Sequence, residues 1–357
     1  MQPGKPTRRG FAGTLAAAAL GHALRPAQAA VSVPEAATLL APGPETGAVA
    51  SLAGRAVGAL SRGLVQAAAL RVAVLGGPDG ITAANRFASS TVRDGLMLLL
   101  MPGAAAQAQL VGDPRARFEP RHWPAICGSV QPCIVAGRGP FDLIAGRGPF
   151  DPMTGRGPFD PAAGRPPLAA ATPLRLALPG PAAAEVAALL ALDMAGRAAV
   201  PVFNLAGAQA EAAIREGAAD AMVLAGPMVE ARAAALGLTP WFAFDAAGGA
   251  RDLALPAVPS LGEILAEAAR PELLEAARAA GAALRGRAVL VLPALTSANV
   301  VALWRAAARN WPEEAPDAPE AGTRRIGAGQ AAALMATLCP APEASLAYQM
   351  WLLRRLG

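Results

Sequence analysis

One local pattern recurs along this chain and limits what it can fold into: a short apolar run, a corner of glycine and proline, then an alanine-rich stretch with helical spacing. Its first full instance is residues 38–53, TLLAPGPETGAVASLA. The leading apolar residues suit the end of a buried strand, PGPETG turns the chain, and AVASLAGRAVGAL returns it as a helix. A helix that starts beside the end of a strand presents backbone N–H groups with no intrahelical acceptor, so such a corner can receive a carboxylate or another polar ligand group. Thr46 is expected to cap the helix, Gly47 to allow close backbone approach, and Glu45 to point outward as solvent cover. Taken alone, these residues favour an αβ turn without a ligand.

The pattern returns. RVAVL at 71–75 suits a second strand, and GGPDGIT follows it as another tight turn before a helix. Here Asp79 or Thr82 is the expected cap, Pro78 shapes the turn, and amides near Gly80 and Ile81 are expected to face a ligand. A bulky residue at Gly80 is then expected to weaken binding more than folding. LMLLLM at 96–101 reads as a third strand, far shorter than the roughly 20 apolar residues that span a bilayer. A later set begins with a strand over 174–178 and a turn through Gly180, Pro181 and Ala182. A strand over 200–203 then leads to Phe203 and to Asn204 as turn and cap. Strands follow at 221–224 and 241–244, the last expected to cross back to the first lobe. Alternating strands and helices imply α/β lobes whose binding region lies beyond the carboxyl ends of the strands.

Of the 357 residues, 54% are hydrophobic and only 16% charged, and much of the apolar share is alanine, which favours close-packed helices over bulky aromatic cores. The amino terminus carries Lys5, Arg8 and Arg9, then GFAGTLAAAALGHAL and Ala27-Gln28-Ala29. That is the order of an export signal, with cleavage expected after Ala29, and the arginine pair resembles a twin-arginine signal. Localisation is therefore expected to be periplasmic or otherwise extracytoplasmic. The net charge of +5 falls to +1 once Lys5, Arg8, Arg9 and Arg25 are removed with no acid lost, which leaves no general electrostatic reason to bind nucleic acid. Cys127 and Cys133 are spaced for a loop clip in an exported protein, or a strand through Val130 holds them apart. His22 and His122 are the only histidines, too few for a histidine metal site or a catalytic triad.

At Ala136 the character changes. AGRGPFDLI, AGRGPFDPM and TGRGPFDPA form three nine-residue units, followed by a degenerate AGRPPL. Proline and glycine at this density oppose helix and central strand, so the segment is expected to be a solvent-exposed insertion made by repeat expansion. Its phenylalanines keep open a contact with a protein partner.

The order and spacing of these segments resemble the tripartite tricarboxylate transporter substrate-binding proteins, the extracytoplasmic solute receptors also called the Bug or TctC-like family. The stretch 42–50 is similar to the family's first loop and 78–82 to its second glycine-rich loop. Asp94-Gly95-Leu96 resembles the segment that enters a Leu-rich strand. Val200-Pro201-Val202-Phe203-Asn204 looks like the family's Val-Pro-Tyr-Lys-Gly turn, and Leu255-Pro256-Ala257-Val258-Pro259-Ser260 looks like its Leu-Pro-Asp-Val-Pro-Thr segment. The resemblance covers about residues 40–272. Departures are Thr46 where the family has a glycine, small residues around Ala50 where it has an acid, and Asp79, Ile81 and Thr82 where glycines and alanine dominate.

The resemblance implies an α/β, two-lobed type II periplasmic-binding-protein-like fold with a central ligand cleft. The expected layout is a signal at 1–29, the first part of lobe 1 at 30–135, the RGPFD repeat insertion at 136–167, lobe 2 at 168–241, and a lobe 1 return with C-terminal helices at 242–357. The implied function is capture of a small organic solute, expected to be a carboxylate, for integral-membrane transporter subunits, without catalysis, cofactor or metal. Ligand contacts are expected from Gly43, Glu45, Thr46, Gly47, Pro78, Asp79, Gly80, Ile81 and Thr82 on one lobe, and from Gly180, Pro181, Ala182, Phe203 and Asn204 on the other. The alternative is a divergent periplasmic interaction or sensing protein that has lost ordinary solute binding. A nucleotide-dependent enzyme is a remote third reading, since no GxGxxG or GxxxxGK[ST] is present. A serine hydrolase lacks its GxSxG elbow.

Overall fold

A computed structural model describes residues 35–64, 69–90, 94–141, 173–246, 249–265, 270–313 and 322–357. The expected export signal at 1–29 and all but the first part of the repeats lie outside these residues. The chain opens with β1 (Ala36–Pro42), α1 (Ala48–Gly63), β2 (Ala69–Leu75), α2 (Ile81–Ala88), β3 (Met97–Met101), α3 (Gly103–Leu110) and β4 (Ala125–Val130). After Gln131 and Pro132 come β5 (Cys133–Gly137), β6 (Leu174–Ala177), α4 (Val186–Met194), β7 (Ala199–Val202), α5 (Ala208–Arg215) and β8 (Ala221–Ala225). α6 (Val229–Ala235), β9 (Thr239–Ala243), α7 (Leu261–Ile264) and α8 (Pro271–Arg285) follow. The last stretch is β10 (Gly286–Val291), α9 (Ala298–Ala307), β11 (Arg324–Ile326), α10 (Ala328–Leu338) and α11 (Pro342–Leu356).

Two mixed sheets result. The first has the order β11-β4-β10-β3-β1-β2 and the second β7-β6-β8-β5-β9. In each, three parallel strands, β2-β1-β3 and β7-β6-β8, meet one antiparallel strand that arrives from the other lobe, β10 and β5 respectively. The continuous apolar runs are explained by burial on both faces of these sheets. Leu99 and Met101 of β3 enter one core while Leu98 and Leu100 enter the other; in the second sheet Val135 and Ile134 of β5 divide in the same way.

Crossings between sheets are made at 131–132 and at the junction of α8 with β10. They are bonded to each other: Gln131 N donates to Arg285 O at 2.8 Å and Gln131 Nε2 to Leu284 O at 2.9 Å. Arg285, only 3% exposed, donates to Asp252 Oδ2 at 2.7 Å and to Asp245 O at 2.9 Å.

These crossings correct two expectations. The strand at 239–243 does not return to the first lobe; it is the edge of the second sheet, paired with β5. Residues assigned to the lobe 1 return are also divided: α8 and α11 pack with α4 in the second lobe's core, whereas α9 and α10 cover the first sheet. All nine residues of α4 are buried because α8 and α11 cover what a surface helix would leave to solvent, and its Asp193 pairs with Arg355 at 2.9 Å. Cys127 and Cys133 sit in different cores on different sheets, so no clip joins them. No helix among the described residues is long and apolar enough to cross a membrane.

Candidate functional site

Corners follow the carboxyl ends of all six parallel strands. In the first lobe they nest together. A Cβ on Gly43 would lie 2.3 Å from Gly76 O, and one on Gly80 would lie 2.5 Å from Pro102 Cγ and 3.3 Å from Pro42 Cγ. The stretches 43–47 and 78–82 are thus neighbours, and the glycines at 43 and 80 serve the packing of the corners on one another. In the second lobe Leu205 N donates to Leu178 O at 3.0 Å, which ties the turn after β7 to the turn after β6.

The local hydrogen bonding differs from the expected caps. Gly47, not Thr46, is the N-cap of α1: its backbone is extended (φ −73°, ψ 158°), its N–H donates to Pro44 O at 2.8 Å, and Thr46 lies one residue too early to reach the helix. Glu45 and Thr46 are exposed, as solvent cover requires. Gly80 is the N-cap of α2 in the left-handed region, and Thr82 lies inside the helix over Gly76. The amides expected to face a ligand here are occupied within the corner, Gly80 N with Gly77 O at 3.2 Å and Ile81 N with Asp79 Oδ1 at 3.2 Å. Asp79 also meets Arg115 at 3.2 Å, so its charge is turned to an amide and a guanidinium.

In the second lobe Gly180 is half-exposed with nothing within 4 Å of an added Cβ, and Pro181 and Ala182 are exposed. The first amides of α4 are occupied by tight turns: Val186 N, Ala187 N and Ala188 N reach Ala183 O, Ala184 O and Glu185 O at 2.9–3.1 Å. Glu185 caps that helix by position, and burial pushes its carboxyl above the ordinary range. Phe203 packs against the core around α4, and Asn204 stands exposed in the left-handed region at φ 65°. The described contacts between the lobes run through α3, where Gln107 Nε2 donates to Ala182 O at 3.2 Å, and through Ala184, which packs on the first lobe's core. Gly322 adds another, since its Cβ would lie 2.8 Å from Pro227 Cα.

Among these helix starts, α1 is distinctive. It has no acid in its first turn and no side-chain cap, features it shares with α2, α3 and α4, but at α2 Asp79 Oδ1 accepts from Ile81 N and at α4 Glu185 stands at the cap position. The start of α5 carries Glu211, which pairs with Arg215 and Arg232, and α6 carries Glu230. The start of α3 lacks an acid, but a Cβ on Gly103 would lie 2.0 Å from Ala283 O, so the crossing helix closes it off. The first turn of α1 is therefore a corner whose partial positive charge meets no carboxylate among the described contacts, with the Pro44 carbonyl packed 2.9 Å from where a Cβ on Gly47 would lie.

One corner was missed: 226–228, after β8, where Met228 is 71% exposed and left-handed at φ 52°. Its Ala-Gly-Pro sequence after an apolar run carries the same signal as the other corners. His122 is exposed in a 3₁₀ turn, and its neighbour Trp123 packs on Phe87 and Phe118. No cluster of metal-ligating side chains occurs among the described residues.

No protein-family model and no curated protein matches the chain. Among solved structures it is similar to a TctC solute binding protein from Polaromonas, solved without ligand, with a TM-score of 0.61 and 18% identity over 90% of this chain and 98% of that one. It is more distantly similar to the periplasmic binding protein BugD (TM-score 0.49, 15% identity, 89% and 98% covered). A third likeness is to MatC from Rhodopseudomonas palustris, solved with malate (TM-score 0.44, 19% identity, 78% and 85% covered). The sheet orders, the paired crossings and the first of these likenesses agree: the chain has a two-lobed α/β fold resembling that of type II periplasmic binding proteins.

Proposed function

We propose that the protein captures a small organic solute, a carboxylate, outside the cytoplasm and presents it to integral-membrane transporter subunits, without chemistry of its own. The observation that carries this reading is the start of α1. A helix N-terminus without a cap or an acid, at the carboxyl end of a parallel strand, offers directed N–H groups and partial positive charge to an anion. The likeness in fold to a TctC solute binding protein supports the reading, as does the pair of crossings that joins two lobes. The second lobe contributes the turns at Gly180 and at Phe203 and Asn204, and Met228 adds an apolar contact. A solute with one carboxylate and an apolar body suits this set, because no guanidinium or ammonium stands in the corners at 43–47, 180–182 or 203–204.

Calorimetry of the signal-free protein against a panel of small mono- and dicarboxylates tests this, and absence of heat across the panel would overturn it. Ala48→Glu provides the sharper arm. A carboxylate in the first turn of α1 favours the helix by about 0.3–1 kcal/mol but repels an anion there. The expected result is at least about tenfold weaker binding, the equivalent of 1.4 kcal/mol, at unchanged or raised thermal stability.

A further inference from the structure

Four strands end the two sheets: β2 and β11 in the first, β7 and β9 in the second. An edge strand presents a row of unpaired backbone groups to any other strand, and folded chains blunt such rows by shortness, proline, bulges or charge. Three of these edges are blunted. β11 has three residues, two of them Arg324 and Arg325. β7 has four, Pro201 among them. Leu174 N donates to Ala198 O and Leu178 N to Val202 O, so the even-numbered residues of β7 bond inward and Pro201 stands where an outward N–H would be. β9 carries Pro240, its register with β5 shifts between Val135 and Ala136, and Ala243 at its end is bridged to Ser260.

β2 has none of these devices. It runs for seven residues, ALRVAVL, with Arg71 as its one charge, and keeps an unbroken register with β1 from Ala69 opposite Ala36 to Leu75 opposite Pro42. Ala69 N donates to Glu35 O at 2.8 Å, which sets the alternation: residues 69, 71, 73 and 75 bond to β1, while Leu70, Val72 and Val74 turn their N–H and C=O groups outward. Among the described residues no hydrogen bond reaches that outer row. Leu70 packs on the core under α1 and Ala73 and Leu75 on the core on the α2 side, so Val72 and Val74 share the α1 face with Leu70. Val72 is 36% exposed.

We propose that β2 is the contact surface of a homodimer, in which two copies of this chain pair β2 antiparallel about a two-fold axis at Val72 and join their first-lobe sheets into one. The row is self-complementary. An axis at Val72 sets Val72 opposite the second copy's Val72, and Leu70 opposite the second copy's Val74. Residues whose groups turn outward then face one another, so each pair exchanges both N–H···O bonds, as an antiparallel ladder requires. Apolar side chains meet on one face, and on the other Arg71 stands opposite Ala73, so no like charges are directly opposed. Moving the axis to residue 71 would oppose the two arginines, and moving it to residue 73 would leave Leu70 without a partner in the strand. Because the contact is isologous, it closes with two copies and leaves no row to extend.

Sedimentation equilibrium of the signal-free protein tests this. A monomer–dimer equilibrium is expected at protein concentrations up to about 1 mM, the weak end of measurable association. Val72→Pro removes an outward N–H that β1 does not use, so the thermal midpoint at dilution should hold while the dissociation constant rises at least about tenfold. Val72→Lys sets two ammonium groups opposite one another and should weaken the dimer as much; it decides the matter if the proline variant does not fold. A monomer at every concentration, or a dimer that the folded variants leave intact, would overturn the proposal. Register has its own readout. In the hydrogen-bonded pair at the axis the Cα atoms lie about 5.5 Å apart, within reach of a disulfide, whereas two copies of residue 74 are held apart. Relative to oxidised wild type, Val72→Cys should therefore cross-link two chains and Val74→Cys should not. Equal cross-linking of the two, or none for Val72→Cys, would also overturn it.

Discussion

Gly80 meets three demands at one position. Its φ of 73° lies where L side chains are strained, and an added Cβ would press on Pro102, which follows β3, and on Pro42, which ends β1. Gly80→Ala is expected to cost about 2 kcal/mol or more, from left-handed strain and overpacking together, and chemical denaturation reads it directly. A loss below about 0.5 kcal/mol would mean that the corner yields easily. The same numbers remove Gly80 as a probe of binding, against the expectation from sequence, because folding suffers first. Asn204 and Met228 are the opposite case. Both hold a left-handed backbone without being glycine, and both are exposed in the turns that follow β7 and β8.

At the scale of elements, the junction of α8 and β10 holds the two lobes in register. Arg285 is buried there with one carboxylate, Asp252, and a backbone carbonyl as its partners, and its main chain receives Gln131 from the other crossing. Arg285→Ala leaves Asp252 buried without its counter-charge, and the expected loss is about 3–5 kcal/mol in equilibrium denaturation. Arg285→Ala together with Asp252→Ala should recover part of that loss, since no lone charge is then left in the interior. If the pair is as unstable as Arg285→Ala alone, charge burial is not what the contact relieves. The first repeat unit, whose Phe141 packs on Trp241 and Phe242, belongs to this scale too. Gly137 admits the Trp241 ring, which would lie 2.0 Å from a Cβ there, so a segment that composition marks as insertion begins as part of the sheet.

For the whole molecule, pH divides the carboxylates into two groups. The Arg232 and Arg215 guanidiniums hold Glu211 below its ordinary 4.5, Arg175 holds Asp220 below its ordinary 3.8, and Arg251 holds Glu263 low. Acids with lowered folded values stabilise above their unfolded values, and that contribution disappears as pH falls through the folded ones. Glu185 and Asp193 run the other way: burial holds both up, with Arg355 opposing it at Asp193, so protonating them relieves the fold. The thermal midpoint should therefore hold or rise slightly from neutral pH to about 5 and fall below about 4. Calorimetric scans across that range check the sign, and a steady decline from pH 7 downward would contradict it.

Sequence alone located the apolar runs and the corners between them, because periodicity and the turn chemistry of glycine and proline act over a few residues. RVAVL and LMLLLM became β2 and β3, and both expected glycine corners follow strand ends. What the glycines are for was decided by tertiary contacts. Gly43 faces the Gly76 carbonyl and Gly80 faces two prolines from other strands, contacts that no local pattern encodes. The cap of α1 moved from Thr46 to Gly47 because the turn closes on Pro44, and the amides of Gly80 and Ile81 turned inward to partners in their own corner. Membership of each strand was likewise a long-range matter. The run at 239–243 reads the same as an edge or as a crossing, and only pairing with β5 makes it an edge. The first repeat unit looks free until Trp241, about a hundred residues later, supplies its seat. Local chemistry set where the chain turns; packing between distant segments set which of those turns are closed off and which stay exposed.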